Sequence, residues 1–319
     1  MHLEKVIIEG FRSYRERTEI DISALTAFIG ENDVGKSTIL EALDAFFNDI
    51  VDARDVNTQV DDGRFKVGCV FSSVPENINL DARSKTTLAD EYLLNEEEKL
   101  EIYKVWRATT TKADVERVYA RALAPANKEA KNLLFKKQDE LKTIIQAKGL
   151  DADKRKNPDM RRAIYNHLRS FGQLELELRE VELDRPKDQN DELQDARKIW
   201  NKLNKRHLPV FSLFKSEQVR GDKEPAVRSP LDSTLKVAIK ELEEKLSVIT
   251  DAVQRQVKET TDRTLERLRR DYPEVAQSLV PEYKAPNWTK AFDLDVLRGD
   301  NDIPLNKRGA GVRRLVVLA

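Results

Sequence analysis

Residues 30–38 read Gly30-Glu31-Asn32-Asp33-Val34-Gly35-Lys36-Ser37-Thr38, and they satisfy the spacing G-x-x-x-x-G-K-[ST]. The spacing has a physical basis. Two glycines let the backbone curl so that successive N–H groups point inward and form a nest for phosphate oxygens. Lys36 is placed to reach β- and γ-phosphates, and the Ser37 hydroxyl to coordinate Mg²⁺. A helix opening at residue 37 sets its positive end under the phosphates. The flanks agree. Residues 25–29, LTAFI, read as a short buried strand, and residues 37–48 as a helix with Ile39, Leu43, Phe46 and Phe47 on one face. The stretch therefore predicts nucleotide binding, without choosing among kinases, GTPases, helicases and ABC-type ATPases.

Around it, residues 3–9 and 17–22 read as strands, as do 65–71 and a hairpin of 100–109 with 114–122, by their β-branched and aromatic content. From about residue 126 the texture turns charged and helical, over 126–148 and 158–170, with polar breaks at 149–159 and 182–192. Residues 208–214, LPVFSLF, read as a strand returning to the core, followed by a long polar loop. Ile239, Leu242, Leu246, Ile249 and Val253 then repeat at spacings of three and four, continued less regularly by Val257, Leu265, Leu268 and Tyr272. That pattern fits a helix packed on its own domain or a helix-to-helix dimer seam. Residues 290–297 alternate as a strand, and 305–319 read as a loop feeding a helix.

The composition narrows the class. The 319 residues are 35% charged and 39% hydrophobic, with net charge −1. The apolar runs are far shorter than the roughly 20 residues a bilayer span needs, and the N-terminus enters a strand pattern rather than a signal peptide. A single cysteine, Cys69, excludes an internal disulfide and reads as a core residue on a strand; three scattered histidines suggest no metal site. A cytoplasmic protein without membrane partners is expected. The basic clusters at 154–156 and 161–162 could bind a phosphate backbone, as of DNA, but their interleaving with acids favours a solvated helix face. Trp106, Trp200 and Trp288 are too scattered to form a base-stacking platform.

Ile7, Ile8, Gly10, Phe11, Arg12 and Ser13, with Asn32, Gly35, Lys36 and Ser37 in the loop, resemble the opening of the RecF/SMC group of ABC-type ATPases. Residues 305–319, LNKRGAGVRRLVVLA, resemble the signature segment of the OLD (overcoming lysogenisation defect) family, a branch of that group, and 210–231 look like the segment before it in OLD-type endonucleases. The resemblance implies an α/β fold: an ABC-type head with a mixed sheet around the P-loop helix and a large helical insertion. Residues 1–125 would be the N-terminal lobe, 126–285 the insertion and dimerisation region, and 286–319 the start of a C-terminal lobe. It implies ATP and Mg²⁺ as ligands, held by residues 30–38 and Arg12, with Gln59 the nearest candidate for sensing the γ-phosphate and metal. Arg308, Gly309, Ala310 and Gly311 would complete the site of an opposite subunit in a homodimer or larger homo-oligomer. Ala310 stands where a serine is common, which puts a hydroxyl contact in doubt.

No apolar strand ending in Asp-Glu occurs in the sequence, so the resemblance implies that the Mg²⁺- and water-positioning acids follow Ala319, and that no catalytic residue lies in these 319. The implied function of the whole protein is an ATPase regulating DNA cleavage by a C-terminal Toprim nuclease, in phage defence or DNA repair. Alternatives are an ATP-dependent sensor or scaffold that holds an effector protein, and a RecF-type recombination mediator.

Overall fold

The computed structural model describes residues 1–31, 34–80, 84–185, 193–213, 235, 237–271 and 288. The chain divides into two compact units, Met1–Phe211 and Ser212–Ala319. In the first, β1 (His2–Glu9), β2 (Thr18–Asp21), helix α1 (Lys36–Asn48) and β3 (Arg64–Ser72) come first. The small hairpin β4 (Ile78–Asn79) and β5 (Lys85–Thr86) follows, then β6 (Leu100–Ala108) and β7 (Ala113–Pro125). Helices α2 (Gln138–Ala147) and α3 (Asn157–Ser170), strand β8 (Leu176–Asp184) and helix α4 (Gln194–Lys202) complete it.

Alternation along each strand decides the sheet. Val6 and Ile8 face one side of β1 and Ile7 the other. The six-stranded order is β2-β1-β3-β6-β7-β8, with every pairing antiparallel. The inner face carries Phe65, Val67, Cys69 and Phe71 from β3, Ile102 and Trp106 from β6, and Ala120 and Ala122 from β7. Helix α1 packs on it through Ile39, Ala42, Leu43, Ala45 and Phe46. Phe65 and Trp106 stack at 5.2 Å, and Phe46 lies 6.1 Å from Phe71. Cys69 is buried in this core, and burial raises its thiol pKa well above the ordinary value. The outer face holds a smaller apolar patch around stacked Tyr103 and Tyr119, 5.0 Å apart. Gly68 is required there, because a Cβ would overlap the Tyr103 ring.

The far end of α1 is also fixed. The Asp49 N–H closes the helix on the Ala45 carbonyl with φ 55. Lys104 projects from β6 into the inner face, where its ammonium lies over the Phe46 and Trp200 rings and pairs with Asp49 at 2.8 Å. The Asn48 amide donates to the Phe211 carbonyl at 3.2 Å, and Phe211 stacks on Phe47 at 5.7 Å.

Several expectations are corrected. Residues 25–29 form no regular strand, and Leu25 and Ile29 are 88% and 94% exposed. Local bonds replace a ladder: the Ser23 N–H donates to Thr26 Oγ1 and the Ser23 hydroxyl to the Leu25 carbonyl. Residues 208–213 pair in no strand either, although Leu208 is buried and Phe211 packs on the core. The expected break at 182–192 begins inside β8; the helix expected over 126–148 is confined to α2, with turns and a 3-10 segment at Leu133–Phe135 before it, and the one over 158–170 is α3.

Helices α2 and α3 share a second core of Leu133, Leu141, Ile145, Met160, Ile164 and Leu168. Arg161, expected on a solvated face, is 1% exposed. It donates to Glu91 and to Asp195, each at 2.7 Å, which ties α3 to the segment after β5 and to α4. The neighbouring basic residues do lie outside, Arg162 paired with Asp90 and Arg155 with Asp153. In the second unit, α5 (Glu243–Asp271) carries the expected three/four pattern, and Leu242, Val248, Ile249, Val253 and Val257 are exposed.

Breaking the Arg161 triad should be costly, because buried Glu91 would lose its counter-charge and buried Asp195 would keep only Lys198 at its edge. Arg161→Ala should destabilise the first unit by about 3–5 kcal/mol, and lower its melting temperature by roughly 6–20 °C. Burial alone would raise the Asp195 carboxyl, but the Arg161 charge and hydrogen bond, then Lys198, hold it below its ordinary 3.8. A depressed carboxylate contributes stability above its unfolded value and loses it as the pH falls through the folded one. Acid unfolding followed by circular dichroism should therefore show a shallower loss of stability below about pH 4 in Asp195→Asn.

Candidate functional site

The site is built on the turn that follows β1. Gly10 has φ +70 and sits so close to the Arg64 carbonyl that a side chain would not fit. The Gly10 N–H donates to the Arg15 carbonyl at 3.1 Å, and Phe11 and Tyr14 bond each other's backbones at 3.0 and 2.9 Å. Phe11 anchors the turn in the core, 5.2 Å from Phe65.

This turn lies against the glycine-rich loop. Gly35 caps α1 with φ 90. A Cβ on it would stand 3.0 Å from Ser13 Oγ and 3.1 Å from the Tyr14 ring. The Tyr14 hydroxyl donates to the Gly35 carbonyl at 3.4 Å, and that carbonyl also accepts the Ile39 N–H at 3.3 Å. Burial raises the Tyr14 pKa above its ordinary 10, so the hydroxyl remains a neutral donor.

Lys36, the first residue of α1, folds back over the loop. Its ammonium donates to the Gly30 carbonyl at 2.8 Å and to the Glu31 carbonyl. Ser37 is exposed and Thr38 half-buried, both in the first turn of α1. No acidic side chain stands in that turn, and Gly35 offers no side chain to cap it. Nothing in the helix's own first turn neutralises its positive end, and Lys36 adds a full charge beside it. These residues fit a polyphosphate.

The other expected site residues divide. Arg12 belongs to the turn whose Ser13 and Tyr14 meet Gly35, and its guanidinium rests on two carboxylates: Nε donates to Asp55 Oδ1 at 2.7 Å and Nη1 to Glu41. Gln59 lies beside the turn, where its Oε1 accepts from Arg15 Nη1 at 3.1 Å. Asn32, Asp33 and the turn Arg308–Gly311 lie outside the described residues. Among the described residues, no cluster of three or more His, Cys, Asp or Glu could hold a metal ion, and no helix is long and apolar enough to cross a membrane. Sequence reasoning missed Glu41, Asp55, Asn57 and Tyr14. Glu41 lies four residues after Ser37 on α1, a spacing that could have flagged it. Asp55 belongs to an Asp52-x-x-Asp55 capping box, a signal of helix start rather than of function.

A glycine-rich loop at the start of a helix seated on a sheet is the build of an α/β P-loop ATPase head, although the sheet expected to be mixed is antiparallel in every described pairing. The chain belongs to the AAA ATPase domain family, whose model matches residues 1–319. A comparison with curated proteins gives no match. Solved structures that match include the SMC head domain from Thermotoga maritima, at 18% identity and TM-score 0.25 over 46% of this chain and 51% of that one. Another is described as structural biochemistry of ATP-driven dimerization and DNA-stimulated activation of SMC ATPases, at 15% identity and TM-score 0.26 over 45% of this chain and 91% of that one. This chain thus spans about half the length of the Thermotoga maritima head domain.

Gly35→Ala should disturb the site locally. The new methyl meets Ser13 and Tyr14 at a φ that L side chains rarely adopt. The expected cost is about 1–3 kcal/mol in thermal denaturation, with weakened nucleotide binding in titration. Wild-type stability and affinity together would contradict the packing described.

Proposed function

We propose that this chain is the ATP-binding portion of an OLD-type, RecF/SMC-like ATPase that dimerises and regulates DNA cleavage. The observation that carries the nucleotide reading is the Lys36 ammonium folded over the Gly30 and Glu31 carbonyls at an α1 terminus without an acidic cap. Backbone N–H groups of residues 30–38 would surround the phosphates, Lys36 would neutralise them, and the Ser37 hydroxyl would hold Mg²⁺. Bound Mg·ATP supplies a phosphoanhydride and a γ-phosphate charge that a second subunit can read. Arg12 and Gln59 would border this site. The turn Arg308–Gly311 would reach the nucleotide of an opposite subunit. The exposed Val248, Ile249, Val253 and Val257 on α5 support assembly. Acids that position metal and attacking water would follow Ala319, as would a Toprim nuclease. The cytoplasm, phage defence and DNA repair fit this reading.

The test uses full-length protein. Lys36→Ala should weaken ATP binding by roughly 10- to 100-fold, the effect of losing a charge-assisted hydrogen bond worth about 1.5–3 kcal/mol. Unchanged binding would remove the site assignment. DNA cleavage and particle mass, each measured with and without ATP, should both respond to nucleotide. ATP-dependent assembly without cleavage would favour the scaffold.

A further inference from the structure

We infer that the free edge of β8 is an interface for a second copy of this chain, the two β8 strands pairing antiparallel about Leu178 so that Glu177 and Arg179 of one copy face Arg179 and Glu177 of the other. The pairing goes beyond the nucleotide reading and does not depend on it. The six-stranded sheet has two edges, β2 and β8. β2 is four residues long and carries Glu19 and Asp21, which suits an edge that stays unpaired. β8 is nine residues long, and its first three residues are exposed. Leu176 and Leu178, 41% and 37% exposed, are the exposed large apolar residues of the described strands.

The ladder to β7 decides which backbone groups are open. Ala126 donates its N–H to the Glu175 carbonyl at 2.9 Å, whereas Leu123, opposite Leu178, donates to the Leu94 carbonyl at 2.8 Å. Bonded and non-bonded pairs alternate along an antiparallel ladder. Glu175, Glu177 and Arg179 therefore turn their backbone toward β7, and Leu176, Leu178 and Glu180 turn theirs to the open edge. A second β8 can bond only where open groups meet open groups. Centring on Leu178 satisfies this, with Leu178 opposite Leu178 and Leu176 opposite Glu180. Sliding by two residues one way sets Glu177 against Glu177, and the other way Arg179 against Arg179; like charges directly opposite are unfavourable. The centred register instead places Glu177 opposite Arg179 twice, at non-bonded positions where side chains stand closest.

Both residues lack such a partner within one chain. Arg179 reaches the Pro125 and Lys131 carbonyls, each at 3.3 Å, and among the described residues it meets no carboxylate in an ion pair. Burial depresses its pKa, and Glu177 on its own strand offsets this only in part. A two-fold axis through Leu178 would supply a carboxylate to each guanidinium and cover both leucines.

The experiment uses full-length protein without nucleotide. Leu178→Cys, treated with a short bis-maleimide, should give a linked dimer, since the two cysteines would stand about 5.5 Å apart across the axis. Native Cys69 is buried and should not react. Leu176→Cys alone should link poorly, its two copies being offset by four residues, about 13 Å. Leu176→Cys mixed with Glu180→Cys should link. Adding Glu177→Arg should lower Leu178→Cys linkage about tenfold, and Glu177→Arg/Arg179→Glu should restore it. Leu178→Pro leaves the β7 ladder intact and should weaken self-association in sedimentation about tenfold, through two lost hydrogen bonds. No linkage at Leu178→Cys, as when a different protein's strand occupies the edge, overturns the inference. So do equal linkage at positions 176 and 178, or a charge swap that restores nothing. Should a cysteine variant not fold, sedimentation of Glu177→Arg against the charge-swapped double variant decides the same question. Lys36→Ala should leave the linkage unchanged even where it abolishes ATP binding, so failure of the nucleotide site and failure of this interface are read separately.

Discussion

The burial of one face of α1 against the inner face of the antiparallel sheet fixes where the glycine-rich loop stands. Thirteen residues of helix span roughly 20 Å. The N-terminal end of that rod is the phosphate loop, and the C-terminal end is held by Lys104 and Asp49. Ile39, Ala42, Leu43 and Phe46 fill the space between. Each large apolar side chain among them contributes about 1.5–3 kcal/mol, so the helix cannot slide without losing several such contacts. The loop is therefore held in place from below, and only its shape is left to be set.

That shape comes from neighbours rather than from the loop. Gly35 is confined by Ser13 and Tyr14, and its carbonyl is shared between the tyrosine hydroxyl and the first helical N–H. Phe11 roots the turn carrying those residues in the same core that seats α1. Apolar packing sets the distance between turn and helix.

Sequence reasoning reached the parts governed by local chemistry. The phosphate loop has a fixed spacing because its backbone must curl, and α1, β1, β3, β6 and β7 carry strong apolar patterns. It failed where distant partners decide the outcome. Arg161 looked like one more surface cation because Glu91 and Asp195, far away in sequence, are invisible to a local pattern. Strand β8, LELREVELD, shows acidic residues on alternate positions, and these mimic a solvated break. Residues 25–29 have strand-like apolar composition, but Ser23 and Thr26 satisfy the backbone locally. The Arg12 network was hard to read because Asp55 carries a capping signal, and only the spacing of Glu41 after Ser37 set that residue apart from an ordinary helix surface.

The outer face of the sheet has a different consequence. Lys5 pairs with Glu19, Lys66 with Glu9, Arg64 with Glu116, Arg117 with Glu180, and Lys99 with Glu4. Each cation there already has a carboxylate beside it. Polyanions gain affinity by displacing small, mobile counterions from themselves into bulk water. Here the competitor for each cation is a side chain tethered to the same sheet, which cannot diffuse away and regains its place at once. Much of the positive charge of this face is therefore already answered within the sheet.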